Sequence, residues 1–216
     1  MLDALFGHLD LWGQALWGTV VLFFGGGAIA LVLGIVVGGM RVSPVPIARA
    51  VGTVYVNLVR NTPLTLIFFL FAFGVPVLIE GDVDFLGLAI WALGLYTATY
   101  VAETLRAGIN TVPVGQAEAA RAIGLPFGQV MSLVILPQAM RAVIPPMMSV
   151  FIALLKNTTV AAGFSVLNLG SIRAYMSERG ENPMDVLLWV AIIFVALVML
   201  LTLLQAQLER RWKVAR

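Results

Sequence analysis

The chain contains no cysteine, which excludes disulfides, thiolate zinc clusters and thiol nucleophiles. Histidine occurs once, as His8, so imidazole metal sites and histidine proton relays have almost nothing to work with. Only two lysines are present, Lys156 and Lys213, and neither follows a G-x-x-x-x-G run. The chain therefore has no phosphate-binding loop of its own. Charge itself is scarce: 11% of the 216 residues are Asp, Glu, Lys or Arg, against about a quarter in soluble domains. What is abundant is apolar surface, at 61% of residues and a mean hydropathy of +1.00. Such a chain dissolves in lipid rather than water and is expected to be an integral membrane protein. The start, Met1-Leu2-Asp3-Ala4-Leu5, lacks the basic residues of a secretory signal, so the first apolar segment is expected to be retained.

A hydrocarbon core takes about 20 apolar residues per helix. Five stretches qualify, at about 14–40, 50–78, 85–105, 135–155 and 186–208, the second interrupted near its start by Arg60-Asn61-Thr62-Pro63. The expected fold is all-α, one transmembrane domain over 1–216 with its termini on opposite sides. Charge bias sets the orientation, because basic residues collect on the cytoplasmic side. With the C-terminus inside, Arg41, Arg49, Arg60, Arg106, Arg121, Arg141, Arg210, Arg211, Lys213 and Arg216 fall on or near that face, ten of the 13 basic residues. Lys156, Arg173 and Arg179 are left toward the outside, with Asp3, Asp10, Glu80, Asp82, Asp84, Glu178, Glu181 and Asp185. The expected topology is N-outside, C-inside.

One cytoplasmic stretch of this apolar chain is compatible with water. "EAARAIGLP", residues 118–126, lies in a loop of about 107–135 between the third and fourth spans. Residues 115–123 are expected to be helical, with Gln116, Glu118 and Arg121 polar among small residues. Gly124 suits the left-handed position that ends a helix, and Pro126 the first turn of the next, over 127–136. The pattern is helix, sharp turn, helix.

Polar residues inside spans are costly and suggest function. Tyr96, Tyr100 and Glu103 recur at i, i+4 and i+7 in the third span, flanked by Thr97 and Thr104. The stripe either faces a water-filled cavity or bonds to neighbouring helices, with Glu103 paired to Arg106 or Arg60. Lys156-Asn157-Thr158-Thr159 closes the fourth span, where the lysine either snorkels to the interface or belongs to a gate. Pro145-Pro146 interrupts that span and Pro63 breaks the second, and broken helices line transporter cavities. Arg60, Asn61, Thr62 and Lys156 are thus candidates for a pathway or subunit contact. Gly25-Gly26-Gly27 and the G-x-x-x-G at Gly34 and Gly38 read as helix-packing surface. Trp12, Trp17, Trp91 and Trp189 suit interfacial or lipid contact. Residues 163–184 form an outer loop, either a short gate helix or a contact for another protein.

"GQAEAARAIGLPFGQVMSLVILPQAMRAVIPP" resembles the EAA loop of ABC importer permeases through Glu118, Ala119, Ala120, Gly124, Ile135, Leu136 and Pro137. "VRNTPLTLIFF" (59–69), "LYTATYVAETLRAGI" (95–109) and "FIALLKNTTVA" (151–161) resemble the polar amino-acid permeases of that superfamily. "MRVSP", "RNTPLTL", "AGINTV" and "KNTT" look most like glutamate permease subunits of actinobacterial importers. The resemblance implies the type I permease fold of five membrane helices. It implies a coupling helix in which Gly115, Gln116, Glu118, Ala119, Ala120, Arg121 and Gly124 meet a cytoplasmic ATPase dimer. A pathway or gate would use Arg60, Asn61, Thr62, Thr97, Tyr100, Glu103, Lys156, Asn157 and Thr158. The expected partners are that ATPase, a second homologous permease subunit of different sequence, an extracellular solute-binding protein, the bilayer of a bacterial cell membrane and an amino-acid substrate, with no nucleic acid. No cofactor is expected on this chain; ATP and Mg would sit on the ATPase. The rival expectation is a secondary transporter or channel protomer not driven by ATP, which would need an ion-coupling site, a pore-lining ring or internal repeats.

Overall fold

Where the sequence is apolar on every side, the longest helix forms. In the computed structural model, which describes residues 2–78 and 82–212 (the last two in backbone only), α1 is Leu2–Phe6 and α2 spans Leu9–Val42. Next come α3, Pro46–Arg60; α4, Leu64–Leu78; α5, Phe85–Asn110; and α6, Val114–Ala122. A continuous rod, α7, comprises Phe127–Gln129, a π-helical stretch Val130–Ile135 and Leu136–Asn157. A 3₁₀ turn, Thr158–Phe164, then leads to α8, Ile172–Ser177, and α9, Pro183–Trp212. No strand occurs among the described residues. Four helical runs are long and apolar enough to cross a membrane, and the pair α3–α4, bent by 97°, makes a fifth if counted as one broken span. Of the charges assigned to the two faces, Glu80, Lys213 and Arg216 lie outside the described residues, as does the Arg211 side chain.

The centre of the bundle is the parallel pair α2 and α5, in which Gly26 meets Leu93, Gly34 meets Val101 and Gly38 meets Leu105, and small residues bring it together. Gly26, Ala30, Gly34 and Gly38 recur every fourth residue on α2 and are buried. Gly94, Ala98 and Ala102 do the same on α5. Lipid offers no hydrophobic drive for helix association, so close backbone approach and van der Waals contact must supply it. The approach is tight. A Cβ on Gly34 would stand 2.5 Å from Val101, and one on Gly94 would stand 2.5 Å from Ile29. Gly34→Val is therefore expected to lower stability by about 1–3 kcal/mol or more through overpacking. By contrast Gly39→Ala, whose Cβ meets nothing within 4 Å, is expected to be neutral. Thermal unfolding of the two variants in detergent checks the contrast.

Several local expectations change in three dimensions. The loop helix and the fourth span, expected as 127–136 and 135–155, are one rod. Pro137 does not end it, because the π stretch absorbs the proline: the Leu136 N–H reaches back five residues to the Met131 carbonyl. The same device precedes Pro76, where the Val75 N–H bonds the Leu70 carbonyl. A proline clashes with the carbonyl four residues before it, and one wide turn moves that carbonyl aside. Pro145 and Pro146 do not interrupt α7 either; both lie inside it. Trp12 is no lipid contact but 5% exposed core, its indole N–H donating to the Ala4 carbonyl at 2.9 Å and clasping α1 to α2. Trp17 and Trp91 are 68% and 50% exposed. Of the region 163–184, α8 is its only helix before α9, and the remainder is built around buried Asn168.

Candidate functional site

Two arrangements concentrate the polar chemistry. The first is a pocket of about 260 Å³ between α5 and the far half of α7, lined by Tyr96, Thr97, Tyr100, Val150, Ala153, Leu154 and Asn157. Helical spacing stacks Tyr96 over Tyr100, with their hydroxyls 2.8 Å apart. The helix break at Asn61–Pro63 brings Arg60 to the same place. Proline 63 has no N–H to continue α3, so α3 ends at Arg60, whose guanidinium carbon lies 5.1 Å from the centre of the Tyr100 ring. A cation over an aromatic face is held by the ring quadrupole. Phenol hydroxyls and an amide therefore line one cavity, and the Arg60 guanidinium lies over the ring of one of its tyrosines.

Glu103 does not join this group. Both its carboxylate oxygens are taken, one by Arg41 at the end of α2 and the other by Arg106 one turn along α5. The expected partner Arg106 is found; Arg60 is not a partner, and Arg41 replaces it. Sequence distance hid Arg41, 62 residues away. The parallel α2–α5 pairing, which sets the last turns of both helices side by side, is what places it there. Lys156 is also elsewhere, exposed in a groove against Phe194 and Val198 of α9. Asn61 is exposed at the end of α3, and the Thr62 hydroxyl donates to the Leu58 carbonyl.

Thr158 turns inward and is fully buried, its hydroxyl on the Leu155 carbonyl. Its own carbonyl accepts from the Asn168 amide at 3.4 Å. Asn168 is the hub of this end: its Oδ1 accepts from the N–H groups of Gly170 and Ser171, at 2.6 and 3.2 Å. The Leu169 N–H next to it donates to Thr19 on α2 at 3.0 Å. Thr158, next to pocket-lining Asn157, is thus held by a buried polar network, since buried polar groups need partners. Asn168 and Thr19 went unnoticed in the sequence because asparagine and threonine in a loop and an apolar helix carry no signal of burial.

The second arrangement is a helical hook at the end of the bundle where α2 finishes and α5 ends. Its turn is a Schellman motif: the Leu125 N–H bonds the Ala120 carbonyl and the Gly124 N–H bonds the Arg121 carbonyl, at 3.2 and 2.9 Å. This closure needs a left-handed residue, and Gly124 has φ +88°. Ala120 faces inward, 5% exposed against Val112, Val130 and Ile135, so it holds the hook together rather than presenting a surface. Gly115, Gln116, Glu118, Ala119, Arg121 and Gly124 face outward. Two apolar side chains join them, Val114 at 72% exposure and Ile123 at 79%. Both are large apolar groups on an otherwise polar loop.

Membrane-length helices, a broken helix beside a polar pocket and a projecting hook together define a multi-span membrane transport protein. Residues 30–214 match the model of the family described as binding-protein-dependent transport system inner membrane component. The chain belongs to that family. It is 43% identical over 203 residues to the glutamate transport system permease protein GluC of Corynebacterium glutamicum, covering 88% of this chain and 86% of that protein. It is 35% identical over 188 residues to the arginine transport system permease protein ArtQ of Bacillus subtilis, covering 86% and 84%. Among solved structures, an amino acid ABC transporter crystallised with histidines superposes with a TM-score of 0.89 at 26% identity, over 95% of both chains. Within the family the chain is accordingly an ABC-importer permease subunit of the amino-acid group and not an enzyme, with the type I permease fold, embedded in the cell membrane.

Proposed function

We propose that this chain is the membrane-spanning subunit of an ATP-driven importer for glutamate or a close polar relative. Two such subunits, this one and a homologue of different sequence, would enclose the pathway, because one set of five helices cannot. A solute-binding protein would deliver the amino acid to the face bearing α1 and α8, outside by the positive-inside reading. The hook would then lie in the cytoplasm, where the ATPase dimer, carrying ATP and Mg, would grip it. The observation that carries this reading is the hook itself. A motif-matched helix is closed by a glycine that only a tight reversal requires, and it exposes Ile123 and Glu118 with no intramolecular use for them.

The preference for an acidic substrate is supported by the pocket. Glu103 is already neutralised by two arginines, so the nearest available charge at the tyrosine pair is the Arg60 cation. A carboxylate is stabilised beside such a cation and a second ammonium is repelled. The 43% identity to a glutamate permease points the same way. The test is uptake of labelled glutamate into proteoliposomes holding the permease pair, the ATPase and the binding protein, in competition with aspartate, glutamine and arginine. Glutamate and aspartate are expected to compete best; dominance by arginine would overturn the assignment. Uptake without ATP hydrolysis would favour an ion-coupled transporter instead.

A further inference from the structure

We propose that an apolar cavity between α2, α5 and α7 binds one acyl chain of an anionic phospholipid, with the head held at Arg49. The cavity has a volume of about 570 Å³. Its walls come from Leu31, Ile35 and Gly39 on α2, Leu105 and Ile109 at the end of α5, and Met140 on α7. Leu105 and Ile109 each lie nine residues after Tyr96 and Tyr100, half a turn around the helix at 100° per residue. No residue lines both cavities, so the groove is separate from the tyrosine pocket, although each is closed on one side by α7.

One end of the groove is polar. There it is bounded by Ser43 and Pro44, in the turn between α2 and α3. Arg49 donates through Nη1 to both their carbonyls, at 2.9 and 3.0 Å. These bonds fix the guanidinium at the mouth without neutralising it, and no described carboxylate pairs with it. Arg41 and Arg106, nearby, are both committed to Glu103. An apolar shaft ending in an uncompensated cation matches an amphiphile with an anionic head. Basic sites between helices on the cytoplasmic side hold such head groups. The groove lies between the end of α2 and the rod that rises from the hook, beside the close α5–α7 contact of Gly108 with Val143, so its occupant fills the joint between bundle and hook.

This inference rests on the chain being a membrane permease, and not on its substrate or on the role of the hook. It is tested by lipid retention. The purified transporter, with its partner subunits, is stripped of bulk lipid and offered phosphatidylglycerol or phosphatidylcholine, and adducts are read by native mass spectrometry with dissociation into single chains. The expected result is one phosphatidylglycerol on this chain, retained in preference to phosphatidylcholine. Gly39→Leu grows a side chain into open groove, since a Cβ there meets nothing within 4 Å, and is expected to abolish retention. Met140→Trp should do the same from the opposite wall. Arg49→Gln should leave the groove able to hold a chain but reduce the preference for the anionic lipid about fivefold.

Phosphatidylglycerol held by both groove-filling variants as firmly as by the parent overturns the proposal, and so does equal retention of the two lipids. A third overturning result uses the absence of native cysteine: a Met140→Cys variant that crosslinks to the second permease chain shows that protein fills the groove. None of these results depends on uptake or ATP hydrolysis, so failure here and failure of the transport reading are separable.

Discussion

Gly124→Arg is expected to leave the chain folded and inserted while reducing substrate-stimulated ATP hydrolysis of the reconstituted complex to its basal rate. The residue sits at φ +88°, where a side chain costs about 1–2 kcal/mol of backbone strain. No atom lies within 4 Å of a Cβ built there, so the cost is conformational and not a clash. Relieving that strain reopens the Schellman bonds of Gly124 and Leu125 and re-aims Ile123. Loss of a central contact in a docking surface costs about 2 kcal/mol or more, roughly 30-fold in affinity. Glu118→Arg provides the complementary case. Glu118 is exposed, so reversing its charge should leave thermal stability unchanged and still suppress stimulation. If both variants keep full substrate-stimulated hydrolysis while the complex remains assembled, the hook is not where the ATPase takes hold. Loss of assembly with Gly124→Arg alone would instead place the hook's role in folding.

Glu103→Ala is expected to destabilise the chain by about 3 kcal/mol, the lower end of the range for breaking a buried ion pair. The lower end applies because the Glu103 side chain keeps 24% of its surface exposed, although Arg41 keeps only 10%. Removal of the carboxylate strands two guanidinium groups whose Nε atoms already lack partners. Converting all three residues to apolar ones (Arg41→Met, Glu103→Leu, Arg106→Met) removes the stranded charges together and should return stability close to that of the parent. Thermal unfolding in detergent reads the first effect, and uptake by the triple variant reads what the charges do beyond stability. Recovery of stability with recovery of uptake makes the cluster a clamp between α2 and α5. Recovery of stability without uptake makes it part of the transport cycle. An unchanged melting temperature for Glu103→Ala would show that the cluster contributes nothing to holding the bundle.

The parts of this protein legible from its sequence are those with a local or compositional cause. Span number followed from apolar length, because a bilayer imposes about 20 residues per crossing. The hook followed from Gly124 and Pro126, residues whose backbone preferences act within a few positions. The break after Arg60 followed from Pro63 for the same reason. The Tyr96–Tyr100 pair followed from helical spacing. Prolines 137, 145 and 146 were misleading, since a proline signals a break only when the surrounding turns cannot absorb it. In α7 one wide turn before Pro137 does so, and Pro145 and Pro146 are held within a continuous helix.

What depended on contacts between distant segments was not legible. Arg41 beside Glu103, Thr19 beneath Leu169 and the groove under Arg49 each require knowing which helices are neighbours. In an apolar chain nearly every helix face is hydrophobic, so pattern does not say which face meets which. The sequence by itself determined that this is a helical membrane protein with a cytoplasm-compatible hook and no phosphate-binding loop, because length, charge and backbone preference are properties of single segments. Only the tertiary structure decided that the small-residue ladders of α2 and α5 meet, since close packing is a property of pairs. That meeting gives Glu103 its second arginine, Arg41, and leaves Arg60 to the tyrosines, while packing against Val112, Val130 and Ile135 turns Ala120 inward in the hook.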